Sequence, residues 1–436
     1  MFAIIERLIV PFWPKLKKSS LFKDSMWSLL GSAIGRGLSL VAGILVARFL
    51  GKELYGEYGI IKNTLIYIEI FSTFGLGFTA TKFIAEYKKS NPSKVAQVCC
   101  ATLNITLAAS GFMALMVLVF AEQIAVLIDA PHLYGTLRIT AIGIMINAIN
   151  IAQIGILSGF AEFKVIAKNT TIAGFFTFIL TVLLTYFWGL HGAVMALVFS
   201  YGIQCLFNYV SVRTCVSQYE TLVGSQKYLY KELLTFSFPI ALQESLYSIV
   251  NWVISFMLIK MCGYGELGLF SAAAQWAAII SFIPNILRNV TLSHLSSNTD
   301  NKTAHDRTLR AMLLVSIGST AALFMAILLL SNNVCSFYGE TFLGLKSVLI
   351  TQSFCAIVIS ISNVFAQEFM SRGKNWTVFI CRLLRDVIAL AIAFFIIDSI
   401  HYSGALVLSI SVLVMNIAYL VILALCYKLQ LRNISK

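Results

Sequence analysis

Arg48-Phe49-Leu50-Gly51-Lys52-Glu53-Leu54-Tyr55-Gly56-Glu57-Tyr58 finds an echo 212 positions on, in Lys260-Met261-Cys262-Gly263-Tyr264-Gly265-Glu266-Leu267-Gly268-Leu269-Phe270. A cation, two glycines five apart and an aromatic fall in register, at a shift close to half of the 436-residue chain. Coincidence of common turn residues is one reading. A duplicated unit is the other, and position favours it, because both copies fall between the first two apolar segments of a half. Each copy is flanked by runs of the ~20 apolar residues that cross ~30 Å of hydrocarbon. Hydrophobic residues make up 59% of the chain and charged ones 12%, against about 45–50% and 25% in a soluble domain. No water-soluble globule has enough polar surface for that balance. A soluble enzyme, a secreted disulfide scaffold and a disordered chain are excluded.

Reading outward with a membrane-span window predicts twelve helices. In the first half they run over 25–47, 58–80, 97–120, 137–157, 171–188 and 193–212. In the second they run over 236–259, 268–287, 311–330, 348–368, 376–397 and 403–425. Gly75, Gly77, Pro239 and Pro284 lie inside these segments, where membranes tolerate them. The expected architecture is an all-α polytopic membrane protein with two pseudo-symmetric six-helix bundles around a central cavity. The bundles occupy 25–215 and 236–427, with a cytoplasmic linker at 216–235 and a cytoplasmic tail at 428–436. Because six is even, both halves share one topology, related by an axis along the membrane normal. Residues 1–24 read as an interfacial segment; Lys15, Lys17 and Lys18 follow the apolar stretch instead of preceding it, so no cleavable signal is expected.

The net charge is +13, from 32 Lys+Arg against 19 Asp+Glu. With the N-terminus in the cytoplasm, only Arg48, Lys52, Lys260 and Lys346 fall on the far side. Arg36, Lys62, Arg138, Arg382 and Arg385 lie within spans, and the remaining cations are cytoplasmic. One missed span would scramble this bias from that point on, so its persistence supports twelve spans with both termini inside. The surplus charge then meets anionic membrane lipids, not nucleic acid. Nine cysteines without a C-x-x-C pair, most of them inside apolar runs, indicate buried thiols and no metal or disulfide framework. No cofactor is expected.

An ionisable group at the bilayer centre costs at least ~2.5–3.5 kcal/mol and is a functional candidate by default. Arg36, Glu69, Arg385 and Asp386 fall near mid-span, and Arg382 and Glu244 at intermediate depth. Lys62 and Arg138 sit close enough to the outer interface to snorkel. Ser28, Ser32, Arg36 and Ser39 share one helix face, as do Lys62, Glu69 and Thr73. Gln243, Glu244, Tyr247 and Asn251 form a third polar stripe, and Gln352, Ser360, Asn363 and Gln367 a fourth. Such stripes line a wet cleft or hydrogen-bond packed helices to each other; a charge within the stripe favours the cleft. Arg382 and Asp386, four residues apart, are expected to pair, leaving Arg36 and Arg385 as positive charge at depth.

Residues 21–90, from Leu21-Phe22-Lys23-Asp24-Ser25-Met26-Trp27 through Tyr55-Gly56-Glu57-Tyr58 to Gly75-Leu76-Gly77-Phe78-Thr79-Ala80-Thr81, resemble the opening of the bacterial polysaccharide repeat-unit flippases. This is the O-antigen (Wzx) type of the multidrug/oligosaccharidyl-lipid/polysaccharide exporter superfamily. The resemblance implies a transporter in the bacterial inner membrane that moves an undecaprenyl-diphosphate-linked oligosaccharide from the inner to the outer leaflet, in concert with other polysaccharide assembly proteins. A diphosphate suits guanidinium groups, whose planar fork matches its oxygens and stays charged when desolvated. Arg36, Arg385 and Arg382 are therefore the diphosphate candidates, with Lys62, Asn251, Gln352 and Asn363 lining the path. Glu69, Glu244 and Asp386 are candidates for coupling to H⁺ or Na⁺. Two alternatives stay open. A multidrug extruder shares the layout but would carry carboxylates without mid-span arginines. A membrane-embedded polymerase or ligase would need catalytic groups on an outer loop, and the longest, near 121–136, offers little beyond Glu122, Asp129 and His132.

Overall fold

The computed structural model describes residues 20–219, 227–285, 302–371, 375–399 and 403–434. Most of the interfacial segment expected at 1–24 falls outside these residues, as do 220–226 of the linker expected at 216–235, whose residues from Lys227 onward are already helical. Everything regular among them is helical: α1 Ser20–Thr73, α2 Leu76–Ser90, α3 Val95–Val119, α4 Ala121–Leu127, α5 Tyr134–Gly159, α6 Phe163–Val216, α7 Lys227–Cys262, α8 Tyr264–Ile280, α9 Lys302–Tyr338, α10 Leu345–Ser371, α11 Asn375–Ser399 and α12 Gly404–Ile434. Helices suit a chain bathed in hydrocarbon, because they satisfy every backbone polar group internally. By length and composition, six of the described helices can cross a membrane. Large apolar side chains such as Phe187, Leu206, Leu329 and Phe395 stand outward, as a lipid-facing surface requires.

Two expected turns contract to single residues. The first two spans are one helix, α1, broken only at Gly51 (φ 73°, ψ 172°). The fifth and sixth are also one, α6, broken at Gly189 (φ 56°, ψ −133°). A positive φ redirects the chain without a loop, and glycine adopts it without steric cost. Gly263, the partner of Gly51 in the repeat, breaks the chain between α7 and α8 with nearly the same geometry (φ 87°, ψ 174°). The duplicated sequence thus repeats a backbone conformation. The second span needs correction: its helix stops at Thr73, with Phe74 (φ 50°) and Gly75 (φ 68°) left-handed before α2. The apolar run 58–80 is unbroken in hydropathy and hides this break.

The chain divides into two units: Met1–Leu50 with Glu57–Phe256, and Gly51–Gly56 with Met257–Lys436. In the first, α2 crosses α5 where glycines meet: a Cβ on Gly155 would stand 2.3 Å from the Gly77 carbonyl oxygen, and Thr81 Oγ1 donates to the Gly155 carbonyl at 2.9 Å. Small residues allow such close backbone approach where no hydrophobic force drives helices together. Below it Phe83, Ile84, Val98, Ile156, Phe160 and Leu233 form an apolar core. In the second unit, residues 51–56 lie against α8. Gln275 Nε2 donates to Tyr55 Oη at 2.6 Å, and a Cβ on Gly56 would fall 1.9 Å from the Tyr264 carbonyl oxygen. Glu266 takes the Ala405 amide and the Ser403 hydroxyl at 2.8 and 2.6 Å, capping α12.

Candidate functional site

In the second unit α11 brings Arg382, Arg385 and Asp386 against α10 and α12. The expected Arg382–Asp386 pair is not formed. Asp386 Oδ1 is taken instead by its neighbour Arg385, from Nε at 2.8 Å and Nη2 at 2.7 Å. A helix does not usually bring adjacent residues face to face. Here the long guanidinium turns back because Nη1 donates to Asn416 Oδ1 on α12 at 3.0 Å and its Cζ lies 5.1 Å from the Tyr419 ring. Arg382 is thereby released from the carboxylate and donates to Asn363 Oδ1 of α10 at 2.6 Å. Its Nε is buried without a hydrogen-bond partner. The cluster thus holds two guanidiniums and one carboxylate, which Arg385 takes, while Arg382 rests on a neutral amide. Arg385 and Asp386 keep partial access, at 15% and 24% side-chain exposure.

Gln352, on the same α10 stripe as Asn363, is buried and donates to the Phe270 carbonyl and to Ser409 Oγ, both at 3.3 Å. It ties α10 to α8 and α12. Nearer the end of α10, His305 Nε2 and Glu368 Oε2 form a fully buried pair at 2.5 Å. Neither residue stands out in the sequence, since Glu368 ends the span expected at 348–368 and His305 precedes the one expected at 311–330.

In the first unit Glu69 is buried and accepts one short hydrogen bond, 2.6 Å from Asn147 Nδ2 of α5. Asn147 Oδ1 accepts from Asn150 Nδ2 at 3.3 Å, and Asn150 Oδ1 from Asn208 Nδ2 of α6 at 2.7 Å. Asn208 Oδ1 in turn accepts from Asn169 Nδ2 at 3.0 Å, which also donates to Ser211 Oγ at 2.9 Å. The sequence reading passed over these four asparagines. For three of them the signal was available: Asn147, Asn150 and Asn208 are amides inside expected spans, with Asn147 and Asn150 three apart on one face. Lys62 is half-buried on the arm of α1 that carries Glu69, and Asn251 is half-buried on α7. Arg138 reaches the exposed Glu122 at 3.1 Å, as a snorkelling residue would. Arg36 and Glu244 belong to α1 and α7, but their side chains lie outside the described residues.

Residues 21–291 match the family described as polysaccharide biosynthesis protein. The chain belongs to that family. Among relatives of this polysaccharide biosynthesis protein is the EPS I polysaccharide export inner membrane protein EpsE of Ralstonia solanacearum, 25% identical over 84% of each chain. The protein of the same name from Ralstonia nicotianae is 31% identical over 163 residues, 36% of each chain. A putative O-antigen transporter of Shigella flexneri is 22% identical over 74% of this chain and 78% of that one. Two solved structures share the fold. A multidrug resistance MATE family transporter of the MOP superfamily, inward-facing, superposes with a TM-score of 0.78 at 17% identity, covering 91% of this chain and 94% of its own. The lipid II flippase MurJ, inward closed, gives 0.71 at 16% identity, covering 92% and 87%. The family is thus that of polysaccharide biosynthesis proteins, and the fold is one that these two membrane transporters share.

Proposed function

We propose that this polysaccharide biosynthesis protein flips an undecaprenyl-diphosphate-linked oligosaccharide across the bacterial inner membrane, by alternating access of two six-helix halves with both termini in the cytoplasm. The observation that carries the reading is the pair of guanidiniums on α11, Arg382 with no carboxylate beside it among the described residues and Arg385 half-buried on Asp386 and Asn416. Placing them within an apolar helix is costly unless an anion uses them, and a lipid-linked diphosphate brings oxygens that a guanidinium fork grips bidentately. Arg36 and Lys62 would add positive charge from the first half. Asn251, Gln352 and Asn363 would order the path for the sugars, while the lipid tail stays in the bilayer. The export and O-antigen transport that two relatives are named for support the cargo class, as does the flippase among the fold neighbours.

Coupling to H⁺ or Na⁺ is proposed for Glu69 and Glu244. Asp386, the third candidate, is engaged by Arg385 and serves better as its counter-ion. Collapsing both gradients should stop transport by reconstituted protein; unchanged transport removes the coupling role. The cargo assignment is tested by complementing a strain that lacks its repeat-unit flippase. Arg382→Ala and Arg385→Ala, expressed at the wild-type level, should lose on the order of tenfold or more of surface polysaccharide, since charge-assisted bonds contribute about 1.5–3 kcal/mol each. Full function in both variants overturns the cationic site. The fold it shares with a multidrug transporter keeps drug export as a second reading. Cation efflux that survives loss of both arginines would favour it.

A further inference from the structure

We propose that Asn147, Asn150, Asn208 and Asn169 form a two-state hydrogen-bond relay, carrying the protonation state of Glu69 to the two arms of α6. Every amide in the series is buried, and every bond runs the same way, with the N–H pointing toward the Glu69 end. The carboxylate fixes that direction because it only accepts. At the other end stands Ser211, whose hydroxyl both accepts and donates; it accepts from Asn169 and donates to the Phe207 carbonyl at 3.0 Å. Bonds in such a chain polarise one another, so its members respond together.

A proton arriving from water and held on Glu69 Oε2 turns that oxygen into a donor facing the Asn147 N–H. A buried donor set against a donor is a lost hydrogen bond. Turning each amide over relieves it, because the carbonyl oxygen and the amino group exchange places within nearly the same volume. Glu69 O–H then donates to Asn147 Oδ1, and Asn147, Asn150 and Asn208 each donate onward. The reversal ends at Asn169 Oδ1, which accepts from Asn208 and from the Ser211 hydroxyl as that hydroxyl leaves the Phe207 carbonyl. Asn169 precedes the Gly189 break and Asn208 and Ser211 follow it, so the two states grip the arms of α6 differently. Tyr201 of α6 lies within electrostatic reach of Glu69, and Lys62 shares its face two turns away along α1; α5 presents amides to it. The relay rests on the proposed coupling role of Glu69 only for its use in transport, not for its existence.

Hydrogen–deuterium exchange of the full chain in detergent tests it. Glu69→Gln supplies a donor where the protonated acid would have one. It should change exchange in peptides covering 205–216 on the order of tenfold, the scale of one hydrogen bond to a charged group. In an Asn208→Leu background the same substitution should leave 205–216 unchanged. Ser211→Ala removes only the terminal hydroxyl and should blunt the response in the same direction, should Asn208→Leu fail to fold. An identical response at 205–216 with and without these residues, or none in the parent, overturns the relay. Because exchange needs no substrate, loss of transport in Glu69→Gln with an intact response would concern the coupling role alone.

Discussion

Arg382 and Arg385 stand three residues apart on one helix and meet different electrostatic fates. Arg385 is neutralised by Asp386 and steadied by Asn416 and the Tyr419 ring, whereas Arg382 has an amide. Removing the carboxylate should therefore cost more than removing the pair. Asp386→Ala leaves the Arg385 charge half-buried and should destabilise the protein by about 1–3 kcal/mol, below the ~3–5 kcal/mol of a fully buried pair because both groups keep some solvent. Arg385→Leu combined with Asp386→Leu should recover most of that loss in thermal unfolding in detergent. A double variant less stable than Asp386→Ala would show that the ion pair itself stabilises the fold. The presence of these charges was legible in the sequence, since any charge in an apolar helix is conspicuous. Their pairing was not. Four-residue spacing favoured Arg382 with Asp386, and the deciding partner, Asn416, sits on a different helix that no local rule connects to α11.

At the scale of the element, glycines show how far sequence reaches. The repeat of Gly51–Gly56 in Gly263–Gly268 was visible as a pattern, and Gly51 and Gly263 do adopt matching left-handed breaks. That the turn would shrink to one residue could not be read, because a positive φ at glycine leaves no trace in hydropathy. Nor could the close packing of 51–56 on α8, where a Cβ on Gly268 would lie 2.2 Å from the Lys52 carbonyl oxygen. Backbone cannot yield there as a flexible side chain would, so Gly56→Ala and Gly268→Ala should each lower stability by at least the ~1–3 kcal/mol of an overpacked core. Gly111 lies in a helix with open space where its Cβ would be. Gly111→Ala should be neutral or stabilise by up to ~1 kcal/mol. Equal effects of the three substitutions on the unfolding midpoint would remove the close-approach explanation.

Across the whole molecule the repeat unites two units whose buried chemistry has diverged. At the 212-residue shift Arg382 and Arg385 fall on Thr170 and Ala173, and Glu69 falls on Ser281. One unit therefore stores a buried carboxylate among neutral amides, and the other stores guanidiniums that outnumber their carboxylate. If transport needs an anionic cargo and a driving ion, this asymmetry puts the main cargo contacts and the driving ion in different units, and the two functions should separate by mutation. Purified Arg382→Ala combined with Arg385→Ala should lose affinity for a lipid-linked diphosphate oligosaccharide by about two orders of magnitude, taking roughly 1.4 kcal/mol per tenfold. Glu69→Gln should bind that lipid as the wild type does and lose its response to an imposed ion gradient in proteoliposomes. Should Glu69→Gln abolish binding while the arginine variant retains it, the charges would be serving the opposite partners, and the cargo would have to be cationic.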